Sequence, residues 1–286
     1  MSSSYLGIRH VVFLAFTFVV FGQCTSNQTK DHEHNLPDSL LVMERAFSKY
    51  ASDHTTRDAF LHFLSDTSIL FKPAAVNGKE FWQGLEDQGE LLYWQPAHVG
   101  VSAHGNLGFT TGPYFLQPSR SSDSVRFYGH YMSVWKKEGD TWRVLIDMGI
   151  GHDSTNMSPI PVMNTYEGLG GKYGDLIQRE NQYVASYAEQ EIRSEFFSTE
   201  CLVLRPRRLP VRSIENIEAV LKDEGVSVTY GEPTAFVSDS GELAVTYGDA
   251  EVTIHADTRK VGLHFVRIWS FDQVEGWKIV LDIVGG

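Results

Sequence analysis

Two hexapeptides, "HYMSVW" at 130–135 and "HFVRIW" at 264–269, place a histidine five residues before a tryptophan. Each is followed by a second run, "WRVLID" at 142–147 and "WKIVLD" at 277–282, with an aspartate five residues after a tryptophan. All four runs read as strands, and the short charged or Gly-containing stretch between the members of each pair reads as a hairpin turn. If Trp135 faces Trp142 across the first hairpin, His130 faces Asp147, because antiparallel partners recede from the turn in step. Trp269 facing Trp277 likewise sets His264 against Asp282, although that turn is one residue longer. An Asp beside a His fixes the imidazole tautomer and favours its charged form, which is the orienting half of a general-base pair. The same pair could equally satisfy two polar groups in a half-buried sheet. No Ser or Cys is placed by sequence to complete a nucleophilic triad. His130 and Asp147 are thus the catalytic candidates, and the register rests on the Trp–Trp pairing.

Aromatic residues with a polar tip suit a pocket for a mostly apolar molecule. In the first half these are Tyr50, Trp82, Trp94, Tyr114 and Tyr131; most such residues in any fold are plain core. Tyr183, Tyr187 and Tyr247 play the equivalent parts in the second half, where His264 and Asp282 complete the list of candidate ligand contacts. Arg205, Arg207, Arg208 and Arg212 crowd one edge there, as a solvated rim or an anion site. "GLGGKYG" at 168–174 fits neither a dinucleotide nor a P-loop pattern. His32 and His34 have no partner that would make a metal site. No metal or cofactor is expected.

The elements that must position these residues come in two sets. "DSLLVMERAFSKYASD" at 38–53 has apolar residues at helical spacing, with Asp38 able to cap the first turn. A second helical stretch, the strand "SILFKP", a short helix at 77–87 and four β-rich runs follow. The same order recurs from about residue 176. Repetition at a period of about 134 residues means duplication of a whole domain. The expected organisation is a leader at 1–24, a polar tether at 25–36, a first domain at 37–151, a Pro-, Gly- and Ser-rich linker at 152–175, and a second domain at 176–286. Helices followed by a meander indicate an α+β class. The hairpin strands are apolar on both faces, so both faces must be covered. Packing of the two repeats sheet to sheet, as an intramolecular pseudo-dimer, is the economical solution.

The chain of 286 residues carries a formal net charge of −12, which argues against a nucleic-acid partner. Behind Arg9, the apolar run at 11–22 is too short to span a bilayer and has the length of a signal-peptide core. Cleavage before Gln23 and lipidation at Cys24 are both compatible with it. Export to a periplasmic or cell-surface location is expected, with membrane contact only through a lipid on Cys24. The other cysteine, Cys201, lies in the apolar run "CLVL" and reads as core.

Trp94 with Pro96, the strand from Gly105 to Gly112, Gly129-x-Tyr131, Trp135, Trp142 and Asp147 together resemble the nuclear transport factor 2-like superfamily. More narrowly they are similar to the SnoaL-like group, cousins of ketosteroid isomerase. The resemblance covers nearly all of 38–150. Over 176–286 it is thinner, resting on Trp269, Trp277, Asp282 and "LAVTYGD". It implies two tandem cones, each a curved, mostly antiparallel sheet wrapped around helices, with a pocket inside. The superfamily includes isomerases, cyclases, dehydratases and members without chemistry, so fold does not give function. The base and oxyanion-hole residues of ketosteroid isomerase cannot be placed on this sequence position by position. Three functions follow as expectations: binding of a small, largely apolar molecule in the first domain, acid–base catalysis through a His–Asp pair, or a non-catalytic interaction module.

Overall fold

The computed structural model describes residues 36–286 except Asp123, 154–155, 168–169, Gln190, Ile192 and 223–224. The expectations for the leader, Cys24 and most of the tether lie outside the described residues.

Helix α1, Leu36–Asp53, buries Leu40, Leu41, Phe47 and Ala51 along one stripe, as its spacing requires. Helix α2, Thr56–Phe63, begins where Thr55 accepts a hydrogen bond from the Asp58 amide at 2.9 Å. Strands β1 (Leu64–Phe71) and β2 (Ala75–Asn77) follow, and Asn77 caps the short helix α3, Gly78–Gln83. Then come β3 (Leu91–Trp94), β4 (His98–Ser102), β5 (Leu107–Gln117), β6 (Phe127–Glu138), β7 (Thr141–His152) and β8 (Val162–Tyr166). The second unit runs α4 (Tyr173–Ala188), a single 3-10 turn at Ser194–Phe196, β9 (Phe197–Leu204) and α5 (Ile214–Lys222). It ends with β10 (Val226–Tyr230), β11 (Thr234–Val237), β12 (Leu243–Ile254), β13 (Arg259–Asp272) and β14 (Gly276–Gly285).

The first sheet is ordered β2-β1-β7-β6-β5-β4-β8, with β3 on the other half of β5. The second is ordered β10-β12-β13-β14-β9, with β11 on the other half of β12. In both, the first long strand joins the last long strand in parallel, β1 to β7 and β9 to β14, and the rest of the meander is antiparallel. The architecture is α+β: two mixed sheets that share a six-strand topology, to which β2 and β8 are added in the first, each curling around its helices as a cone.

The sheet faces divide the core in three. The concave face of the first sheet, with Tyr131, Trp135, Trp142 and Val144, packs on Phe47, Phe60 and Phe63 of the helices. The concave face of the second, with Phe265, Trp269 and Trp277, packs on Leu176 and Tyr183. The two convex faces form one shared cluster, in which Met132, Val134, Ile146 and Met148 meet Val266, Ile268, Leu281 and Ile283. Strands apolar on both sides are therefore covered on both sides. Polar contacts pin the seam: the Ala103 amide donates to Glu242 Oε1 at 2.7 Å and the Arg207 amide to the Gly151 carbonyl at 2.7 Å.

The stretch from 152 to 175 is not simply a linker. Its residues Val162–Tyr166 form β8, which pairs in parallel with β4 along His98–Ser102. The edge of β4 would otherwise expose unpaired backbone groups. Pro161, which can donate no backbone hydrogen bond, sits just before β8, and the first ladder bond starts at the Val162 amide, 3.0 Å from Ala97 O. Composition marks this stretch as loop because the edge it completes lies some 60 residues earlier in the chain.

Candidate functional site

The repeated histidines and aspartates do not face each other. In the first hairpin the turn closes tightly on Gly139 and Asp140, with Glu138 facing Thr141. Gly139 has φ +59, the left-handed region a two-residue hairpin turn demands. That turn sets Trp142 against Lys137 rather than Trp135, and a bulge between Val134 and Trp135 moves the register once more. Asp147 faces Ser133, and His130 faces Ile150. In the second hairpin Asp282 faces Arg267, and His264 faces Gly285. His130 shares the convex face with Met132 and Val134, away from the concave face that Tyr131 and Trp135 occupy. Its Nδ1 lies 2.6 Å from His152 Nε2, and His152 Nδ1 lies 2.5 Å from the Asp153 carbonyl. Burial, then His152 and Arg212, push the His130 imidazole down to about 3, so it is neutral at ordinary pH.

Asp147 is on the concave face and meets a cavity of about 440 Å³. The walls are aromatic and aliphatic: Phe47, Phe60, Trp82, Leu92, Trp94 and Leu116, with Phe71 and Met148 on the seam side. The polar groups gather at one place, Asp147 with Tyr114, Tyr131 and Lys72. Ser133 Oγ donates to Asp147 Oδ2 at 2.7 Å. Asp147 keeps some accessible surface because it opens onto the cavity, yet it lies deep in the cone. Burial raises its carboxyl to about 6, against the partial opposition of Ser133 and Lys72. The Tyr131 hydroxyl and the Trp82 Nε1 are buried without a hydrogen-bond partner of proper geometry among the described residues. The unpartnered Trp82 Nε1 and the raised carboxyl of Asp147 leave hydrogen-bonding capacity in the lining of the cavity.

Tyr114 reaches this cluster because two glycines make room for it. It faces Gly129, where a side-chain carbon would fall 2.5 Å from the tyrosine ring, and its hydroxyl lies beside Gly149. Burial, and secondarily the charge of Asp147, push the Tyr114 phenol up to about 12, so it stays a donor. Behind the wall, Glu44 of α1 accepts from the Trp94 and Trp135 indoles and from the Thr110 hydroxyl. Burial raises Glu44 to about 7 in spite of those donors.

The second cone repeats the frame and fills the space. Arg267 stands where Ser133 stands, across from Asp282 as Ser133 is from Asp147. Its side chain is wholly buried. It donates to Glu180, the counterpart of Glu44, and lies 3.2 Å from Asp282 Oδ1. Its guanidinium also sits over the rings of Tyr230 at 4.2 Å, Phe265 at 4.3 Å and Tyr183 at 4.7 Å. Arg205, the counterpart of Lys72, binds Asp282 at 2.8 Å. Burial alone would raise Asp282, but Arg205 and Arg267 outweigh it and hold the carboxyl below its usual value. The counterparts of Tyr114, Gly129 and Gly149 are Ala250, Leu263 and Val284. One carboxyl position is thus open and raised to about 6 in the first cone, closed and held below its usual value in the second.

Of the residues singled out by sequence, Trp82, Trp94, Tyr114, Tyr131 and Asp147 come together around the cavity. Tyr50 does not; its ring stacks on His62 with centroids 4.9 Å apart. His130, His264 and Asp282 do not line it either. His130 and His264 lie at the seam, and Asp282 is locked in the ion-pair network of the filled cone. Sequence reasoning passed over Lys72, Ser133 and Glu44. Glu44 did carry a signal: it is a charge one turn from Leu40 and Phe47 on the apolar stripe, repeated by Glu180. Among the described residues no group of three His, Cys, Asp or Glu is arranged to hold a metal ion.

A scan against protein-family models finds no match, and no curated protein matches. Solved structures do. A nuclear transport factor 2-like superfamily protein from Salmonella enterica serovar Typhimurium is 16% identical over 40% of this chain and 89% of its own, with a TM-score of 0.33. A nuclear transport factor 2-like protein from Cytophaga hutchinsonii is 14% identical over 40% of this chain and 98% of its own, TM-score 0.33. A putative ketosteroid isomerase from Parabacteroides distasonis is 14% identical over 38% of this chain and 83% of its own, TM-score 0.31. Each match covers about 40% of this chain. In strand order and pairing, the chain is a tandem of two cones whose sheets share a six-strand topology.

Proposed function

We propose that the first cone binds one small, largely apolar molecule that carries a hydrogen-bonding group, and that the second cone binds none. The observation that carries this is the contrast between the repeats: an aromatic cavity of about 440 Å³ in one, and Arg267 filling the corresponding place in the other. The volume is within the usual range for a small-molecule site, and the mix of apolar wall and few convergent polar groups is the usual composition of one. The ligand's body packs on Phe47, Phe60, Trp82 and Trp94. Its polar end meets Asp147, Tyr114 and Tyr131. The apolar run behind Arg9 supports export of the protein as part of the same proposal.

The test is a fluorescence titration of the full chain with an uncharged apolar fluorophore. One site per chain is expected, with quenching of Trp82 and Trp94. Two equivalent sites, or none, would refute the reading.

A second reading is favoured by one specific observation, the carboxyl of Asp147 raised to about 6 on a cavity that the Tyr114 and Tyr131 phenols also line. Such a group can take up and return a proton near neutrality while Tyr131 or Tyr114 steadies developing negative charge. An acid–base reaction on the bound molecule would then use Asp147 and the tyrosines, with no part for His130. Asp147→Asn would abolish turnover and leave binding of the apolar probe nearly unchanged. Equal turnover in that variant would reject this second reading alone.

A further inference from the structure

One wall of the cavity consists of Leu70, Phe71 and Lys72, the end of β1 and the start of the turn after it. Lys72, Pro73, Ala74 and Ala75 are all exposed. Locally the turn is tied only lightly: the Lys72 amide bonds Ala74 O, and the short β2 pairs with β1 alone. What holds this stretch from the far side is a residue of the other unit. His264 on β13 stacks its ring on Phe71, centroids 4.6 Å apart and planes at 26°. Its Nε2 meets the carbonyl oxygen of Pro73. Its Nδ1 lies 3.0 Å from Oδ1 of Asp249, its cross-strand partner on β12. A carbonyl can only accept, so Nε2 carries a hydrogen and donates it to Pro73. The histidine side chain is almost wholly buried, 6% exposed, while Asp249 beside it is open to solvent.

We propose that His264 is a positioning residue for the first cone's cavity: the filled unit holds the Phe71–Pro73 wall of the hollow one and thereby sets its affinity. The proposal rests on the reading of that cavity as a binding site. Phe71 transmits the effect, because the same ring lines the cavity and stacks on His264. The histidine strap runs in one direction only. His130 occupies the same place in the first repeat, but it turns to His152 within its own sheet. The segment that would be its counterpart wall, beginning at Arg205, is held by Asp282 in its own cone and by the Arg207 amide on Gly151 O. A strap toward the hollow cone has a cavity to shape; one toward the filled cone has none.

The test uses the full chain and two variants, His264→Ala and His264→Gln; glutamine keeps a donor for Pro73 O and loses the stacking. Three quantities are measured: affinity for an uncharged apolar fluorophore per folded molecule, stability in urea, and amide exchange over residues 70–77. His264→Ala is expected to bind the probe about tenfold more weakly and to exchange faster over 70–77, with partial recovery in His264→Gln. A purely structural histidine would lower stability and leave affinity per folded molecule unchanged, and that result overturns the proposal. If His264→Ala does not fold, the glutamine variant bears the test on the same criteria. Wild-type protein that takes up no probe would refute the binding reading instead, and exchange over 70–77 would still decide whether His264 holds the wall; unchanged exchange sinks it.

Discussion

Replacing Asp147 by asparagine should make the protein more stable at neutral pH. The Asp147 carboxyl is raised from 3.8 to about 6 because the cone buries it with only Ser133 and Lys72 in compensation. A group whose folded value lies above its unfolded one contributes stability at low pH and loses it as pH rises through the folded value. Above about pH 6 the folded protein must hold a charge that the unfolded chain carries more easily. A shift of a little over two pH units corresponds to about 3 kcal/mol. Asparagine has the same shape, still accepts from Ser133 and carries no charge. The variant should therefore gain about 3 kcal/mol at about pH 7.5 and only about 1 kcal/mol at about pH 4.5, where the folded carboxyl is already protonated. Urea unfolding of both proteins at the two pH values measures this. Glu44, also raised by burial, to about 7, adds its own slope to both proteins, and in the variant it loses the part of its rise that the Asp147 charge supplies. A variant no more stable than the wild type at about pH 7.5, or a gain that does not shrink on acidification, would refute the argument. A destabilising carboxyl held at the one polar spot of an apolar cavity is what a functional group looks like in a stability experiment.

The comparison between cones makes further predictions. Ser133→Arg should fold, since the neighbours that accept Arg267 have counterparts in Asp147, Glu44, Trp94 and Tyr131. It should lose probe binding by at least about a hundredfold, worth about 2.7 kcal/mol, and lose the pH-dependent penalty of Asp147; undiminished binding would show that the cavity is not the site. Arg267→Ser should cost about 3–5 kcal/mol, because it strands Glu180 and weakens the hold on Asp282 in a dry interior. A urea midpoint unchanged from wild type would contradict the assigned ion-pair network.

Much of the molecule was legible before any coordinates. The duplicated hairpins and the α+β order follow from local pattern, because strand and helix periodicities and turn residues act over a few positions; the cone was implied by the family resemblance alone. Asp147 was singled out through a pairing with His130 that does not form, and the bulge at Val134 is what brings it to the concave face, whereas Trp82, Trp94, Tyr114 and Tyr131 were recognisable as polar-tipped aromatics. The His–Asp pairing was not, since register depends on a left-handed Gly139 and on a bulge at Val134, and shifting partners along the ladder moves His130 away from Asp147. Nor could sequence tell which cone is hollow. Both strands read alike, and the difference lies in whether the residue facing Asp147 or Asp282 is Ser133 or Arg267. An arginine can stay buried there only because Glu180 comes from a helix 87 positions away and Asp282 from the next strand. The hold of His264 on Pro73 spans 191 positions and exists only once two sheets pack. Local chemistry determined the elements and most of the lining; volume, burial and long-range charge pairing, which exist only in the packed structure, decided what is open, what is ionised and what braces what.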